Sequence, residues 1–234
     1  MLDDLARRLD GFFVTWYREH GRSFPWREPG VSPFHLLLAE FLLRRTGAVK
    51  VAGVWPDFAA RYPDARSLID TPEEQLASDL RPLGLYRQRA RALRELGQAV
   101  EERHGGSVPA EEQALLTLPH VGQYIASAIR VFAYGQRDAV VDGSVARVLR
   151  RFTGVELGSD PRRDPRLLEM ARQIVPAEAR EHGYGLLDFA ATVCLPGVPA
   201  CSSCPLAQRG CSWSEAYLRP RRRHSTDGGP SNEP

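Results

Sequence analysis

The chain has 234 residues, 43% of them hydrophobic and 26% charged, with a formal net charge of +2. That is ordinary globular usage, enough for one domain or two small ones sharing a core, and it excludes wholesale disorder. No apolar run approaches the roughly 20 residues of a membrane span; the longest, 35–43, is broken by Glu40. Met1-Leu2-Asp3-Asp4 lacks the basic and apolar regions of a secretory signal, so the expected compartment is the cytoplasm.

Apolar residues spaced by three and four predict helices over 2–17, 34–43, 51–58, 90–100, 121–132, 145–152, 167–174 and 186–193. Ser32 reads as an N-cap before Pro33, and Thr71 as one before Pro72-Glu73-Glu74. Asp138-Ala139-Val140-Val141 is compatible with a short strand, but no period-two series is long enough for a sheet. The expected fold class is all-α. From Ser212 the chain turns polar, with Arg219, Arg221, Arg222 and Arg223 ahead of Ser-Thr-Asp-Gly-Gly-Pro. That composition predicts a basic, disordered tail over 212–234.

Of the 31 basic residues, 30 are arginine and one, Lys50, is lysine. Genomic base composition accounts for such a bias, yet arginine is also the better bidentate partner for phosphate. Schiff-base chemistry would fall to Lys50 or the N-terminal amine. Leu118-Pro119-His120-Val121-Gly122 joins helical segments at 111–116 and 123–132. Such a hairpin is either an ordinary turn or a set of N–H groups offered to phosphate. Asp142 reads locally as the N-cap of the next helix. Glu40 either faces solvent on an amphipathic helix or is buried, where it would hold a proton near neutral pH.

Cys194, Cys201, Cys204 and Cys211 are separated by six, two and six residues. Without a secretion signal, disulfides are not expected, and the loop-like surroundings argue against a plain thiol core. An iron–sulfur cluster, zinc or neither remain open, because structural zinc usually shows two close cysteine pairs.

In this order the features resemble the helix-hairpin-helix DNA glycosylase superfamily, in its endonuclease III and adenine glycosylase branch. The resemblance spans about 16–211. Its carriers are Phe24-Pro25-Trp26-Arg27, the run Ala39-Glu40-Phe41-Leu42-Leu43-Arg44-Arg45-Thr46, Leu83-Gly84-Leu85-Tyr86, the hairpin, Val141-Asp142-Gly143-Ser144-Val145-Ala146-Arg147-Val148 and the cysteines. It implies a two-lobed helix-hairpin-helix DNA glycosylase fold with a C-terminal iron–sulfur cluster loop. Residues 1–27 would join the iron–sulfur lobe, and 28–137 would form a helical-barrel lobe ending in the helix-hairpin-helix at 111–134. Residues 138–211 would carry the Asp142 loop and a [4Fe–4S] cluster on the four cysteines.

The resemblance further implies a monomer, nucleoid-associated, that flips a mispaired or damaged base out of double-stranded DNA. Asp142 matches the acid that stabilises charge developing on the deoxyribose, and Glu40 the acid that protonates the leaving base or manages water. Arg44 matches the position facing the estranged base, with Arg45 beside it. Leu85 and Tyr86 match the wedge, and Pro119, His120, Val121 and Gly122 the phosphate-binding hairpin. Where bifunctional members carry a catalytic lysine, this chain has Tyr124, which implies a water nucleophile and no strong lyase activity. Two departures matter. His120 replaces the hairpin's first glycine; histidine tolerates positive φ better than most residues, so the turn should survive with weaker approach to phosphate. The last cysteine gap is one residue longer than usual, which raises cluster lability as a concern.

Arg44-Arg45-Thr46, the short wedge and the absence of length for an extra C-terminal domain resemble the thymine/uracil mismatch type more than the adenine type. The expected substrate is T or U opposite G. The alternatives are removal of A opposite 8-oxoguanine or G, and a non-catalytic DNA-binding iron–sulfur module.

Overall fold

The computed structural model describes residues 2–218 apart from Leu157, Ser159 and Val198. Helices α1 (Leu2–Leu9) and α2 (Phe12–His20) replace the single helix expected over 2–17, because Gly11 adopts φ +61 and redirects the chain. Helix α3 (Pro33–Leu43) starts as expected at Ser32, whose side chain accepts the His35 N–H at 3.2 Å. Helix α4 (Ala48–Arg61) is longer than its apolar core and contains Pro56. Helix α5 (Ala65–Asp70) was not legible from periodicity; Asp64 and Ser67 form a capping box at its start. Helix α6 (Glu73–Leu80) follows, and here one expectation is corrected. Thr71 does not cap it: the Thr71 hydroxyl donates backwards to the Ser67 carbonyl at 2.8 Å, and Pro72 takes the cap position.

Helix α7 (Tyr86–His104) is bounded by Leu85 and Gly105, both in the left-handed conformation. Helices α8 (Glu112–Leu116) and α9 (Gln123–Phe132) flank the hairpin. They are followed by α10 (Gly143–Thr153), α11 (Pro165–Gln173) and α12 (Ala179–Thr192), the last starting well before residue 186. Helix α13 (Ser212–Leu218) occupies the start of the stretch expected to be tail. Ser214 is buried there, its hydroxyl donating to the Cys211 carbonyl at 2.8 Å. The arginines expected from 219 onward lie outside the described residues. Residues 138–141 form an irregular connector, and no strand occurs among the described residues. None of those helices is long and apolar enough to cross a membrane.

Helix α3 packs against α4 and α9, while α5 and α6 pack along α7. A second grouping forms around α12, which carries α2 on one side and α10 on another, with α13 against α10. The crossing of α2 over α12 demands a glycine: a Cβ on Gly185 would sit 2.1 Å from the Phe13 carbonyl oxygen. Phe12, Phe13 and Trp16 then meet Phe189 edge-on at 5.4–5.7 Å. Truncating a core aromatic of this kind costs about 3–5 kcal/mol.

The decisive feature for the site is α3. Every residue from Leu36 to Leu42 is buried, Glu40 included at 4% exposure. A helix apolar on all sides lies inside a protein. Glu40 therefore has no solvent-facing stripe to occupy.

Candidate active site

A cleft of about 860 Å³ opens between the α3–α9 helices and the α10–α12 helices. Glu40 reaches it from α3, Tyr124 from the first turn of α9, and Asp142 from the residue before α10. Arg44, Arg45, His120 and Gly122 line the same cleft. Leu85, Tyr86, Pro119 and Val121 do not; Leu85 is 52% exposed at the head of α7, and the Val121 side chain is buried in the core. Any contact by Val121 with a ligand would have to be through its backbone.

Burial pushes the Glu40 carboxyl up to about 7; the Tyr124 hydroxyl and the Arg27 charge oppose the rise, and Asp142 adds to it. One carboxylate oxygen, Oε2, is buried without any hydrogen-bond partner among the described residues. An unpaired buried carboxylate is expensive, so near neutrality the group alternates between acid and base forms. Burial, then the charges of Glu40 and Asp142, hold the Tyr124 phenol well above its usual range, so it remains a neutral donor.

Asp142 is an N-cap and a cleft residue at once. Its Oδ1 accepts the N–H groups of Ser144 at 2.8 Å and Val145 at 2.7 Å. Those two bonds fix the carboxylate's direction, and among the described residues Oδ2 has no such partner. The hairpin turns at His120 with φ +64, as the tolerance of histidine for that region anticipates. The first N–H groups of α9 have no intrahelical partner, which leaves them free for an anion.

Residues 38–173, more than half of the chain, match the family described as HhH-GPD superfamily base excision DNA repair protein. The chain belongs to that superfamily. It is 39% identical over 210 residues to a thymine-DNA glycosylase of Aeropyrum pernix, covering 88% of this chain and 92% of that protein. It is 36% identical over 215 residues to an adenine DNA glycosylase of Mycobacterium tuberculosis, covering 90% of this chain and 69% of that one. The structure of a thermostable thymine-DNA glycosylase superposes with a TM-score of 0.87 at 33% identity, covering 92% and 98% of the two chains.

Within this HhH-GPD chain, the sequence did not reveal what holds Arg27 beside Glu40. Asp188 is fully buried, and its carboxylate accepts from Arg27 at 2.8 and 3.0 Å and from Arg22 at 2.8 Å. The Arg27 guanidinium also lies 4.3 Å over the Tyr184 ring, at the cleft wall. Arg27 and Asp188 both stand inside motifs noted in the sequence, but their pairing spans 161 positions. Arg162 and Arg163, which line the cleft as well, were likewise not anticipated.

The cysteines lie apart from this cleft, all four around one small cavity of about 20 Å³ with Val148, Arg151 and Trp213. Among the described residues, no three His, Cys, Asp or Glu side chains are placed to hold a metal ion. Burial first, and then the neighbouring cysteines, push the Cys201 thiol up. Arg151 donates to Cys194 Sγ at 3.5 Å.

Proposed function

We propose that the protein is a monofunctional DNA glycosylase that removes thymine or uracil mispaired with guanine in double-stranded DNA, acting as a monomer. The observation that carries this reading is the convergence of Glu40 and Asp142 in one cleft with no lysine beside them. A buried carboxyl with a pKa of about 7 supplies a proton to the leaving base at working pH. The oriented Asp142 carboxylate stabilises the oxocarbenium-like sugar as the glycosidic bond breaks. Water then attacks the sugar, leaving an abasic site. Lys50 is exposed on α4 and does not line the cleft.

Arg44 supports the choice of guanine as the opposite base. A guanidinium only donates, and guanine O6 and N7 only accept. The thymine-DNA glycosylase relative supports the choice of excised base. Removal of adenine is the second reading, favoured by the 36% identity to the adenine DNA glycosylase.

The test of the monofunctional reading uses a U·G duplex. Strands should be nicked only after alkali or heat, and borohydride should trap no covalent adduct. Efficient trapping, lost in Lys50→Ala, would overturn it; trapping that survives that substitution would overturn it too, by implicating the N-terminal amine.

We infer further that Cys194, Cys201, Cys204 and Cys211 hold a [4Fe–4S] cluster. The donor set is all sulfur, which suits soft metals and iron–sulfur clusters. The Ala207 N–H donates to the Cys204 carbonyl at 3.0 Å, which holds the turn that carries this cysteine. The cluster would serve as a structural tie between the 194–211 loop, α10 and α13. Purified protein should be brown and contain iron, and Cys204→Ser should lose both the colour and part of the thermal stability. Stoichiometric zinc without iron after anaerobic preparation would refute this assignment.

A further inference from the structure

The turn at His120 has no backbone reason to be histidine. Glycine reaches φ +64 freely, whereas a residue with a Cβ is strained there. What the side chain gains is a partner on another helix. His120 Nε2 lies 2.7 Å from Glu95 Oε2 on α7, and its ring meets Phe41 edge-on at 6.2 Å. The carbonyl of the same residue accepts Arg44 Nη1 at 3.2 Å, and the Arg44 guanidinium sits 5.5 Å over the Phe41 ring. Arg44 is thus held by the hairpin, and the hairpin is held by α7.

Helix α7 grips the other end of the same segment. Arg89 is buried, and donates to the Leu42 carbonyl at 2.9 Å, the Arg44 carbonyl at 2.7 Å and Thr46 Oγ1 at 2.6 Å. These bonds close the end of α3 and fix the backbone of Arg44 and of Arg45, whose φ is +58. Leu85 stands at the head of the same helix. A free arginine loses rotamer entropy when it is immobilised on a base. One that is already held loses less, and it is held in one direction only.

We propose that Glu95 and His120 are positioning residues for opposite-base recognition, the Glu95–His120 contact fixing the hairpin carbonyl that aims Arg44 at the orphaned guanine. The proposal deepens the reading of Arg44 given above and rests on it. It makes phosphate engagement by the hairpin and base reading by Arg44 one event, because both depend on the same turn.

The test compares single-turnover excision of uracil opposite G and opposite C. The two duplexes differ in pairing and in the size of the opposite base, so the readout is the change of the ratio between each variant and the parent, in which those differences cancel. Arg44→Ala should lower the U·G to U·C ratio about tenfold, the scale of one lost base contact. Glu95→Gln and His120→Gly should each lower it roughly threefold. For Glu95→Gln, affinity for undamaged duplex should not fall, since a carboxylate beside the phosphate-facing hairpin has been removed. Glu95 is half exposed, so its replacement leaves the core intact. His120→Gly relieves the strained turn, and a purely structural histidine would therefore leave the ratio unchanged. An unchanged ratio in both Glu95→Gln and His120→Gly, with the ratio lost in Arg44→Ala, overturns this proposal alone. An unchanged ratio in Arg44→Ala overturns the reading of Arg44 and this proposal with it.

Discussion

Asp142→Asn should slow base excision by ~10²-fold or more while duplex binding is retained, the scale of removing one transition-state electrostatic contact. The geometry makes this a clean substitution. The amide oxygen of asparagine can still accept the Ser144 and Val145 N–H groups that Asp142 Oδ1 holds at 2.8 and 2.7 Å. Asparagine is as good an N-cap as aspartate, so α10 should keep its start. What disappears is the negative charge facing the sugar as the glycosidic bond breaks. Single-turnover excision with enzyme in excess measures the first effect, and a binding assay on the same duplex the second. An active Asp142→Asn would remove this carboxylate from the chemistry.

Glu40→Gln should cost about 10²- to 10⁴-fold in excision, the usual contribution of a positioned general acid. The parent enzyme should lose activity about tenfold per pH unit above its carboxyl pKa of about 7, because only the protonated form can donate. A base at this position would give the opposite slope. In Glu40→Gln at high pH, stability should move the other way from activity. The pKa of Glu40 is raised from an ordinary 4.5 to about 7 on folding, so the folded chain binds its proton more tightly than the unfolded one. The stabilisation this provides is complete below about pH 4.5 and is lost as pH rises through about 7. Above that pH the parent carries a buried charge that Glu40→Gln lacks, worth roughly 3 kcal/mol. Melting curves of the two proteins at pH 5 and pH 8 should therefore diverge at pH 8 in favour of the inactive variant. Equal curves at both values would contradict the burial argument.

Much of the site was legible because its determinants are local. Ser32 before Pro33, Asp142 before Gly143 and the Pro119–Gly122 turn are caps and turns whose partners lie within a few residues. The ambiguity at Glu40 was of another kind: a carboxylate in an apolar run is consistent with two faces until the helix's neighbours are known. The structure resolves it because every residue from Leu36 to Leu42 is buried, with α4 and α9 packed against the helix. What stayed hidden depends on long-range pairing. Arg27 is fixed by Asp188 and Arg44 by His120, and neither partner can be read from spacing. Small backbone departures were hidden as well. Gly11 splits the first helix without breaking its apolar rhythm, and Thr71 closes one helix where its sequence context suggested it would open the next.

The central claim is the base and its opposite partner, and a single panel of duplexes tests it. Each duplex carries one T·G, U·G, T·A, U·A or A·8-oxoguanine pair, is incubated with the purified protein, and is then treated with alkali to reveal abasic sites. Mismatched bases are cheaper to unstack than paired ones, and the donor-only Arg44 favours an orphaned guanine. T·G and U·G should therefore be cleaved well ahead of T·A and U·A, with A·8-oxoguanine untouched. Robust removal of adenine opposite 8-oxoguanine, with T·G and U·G left intact, would contradict the account.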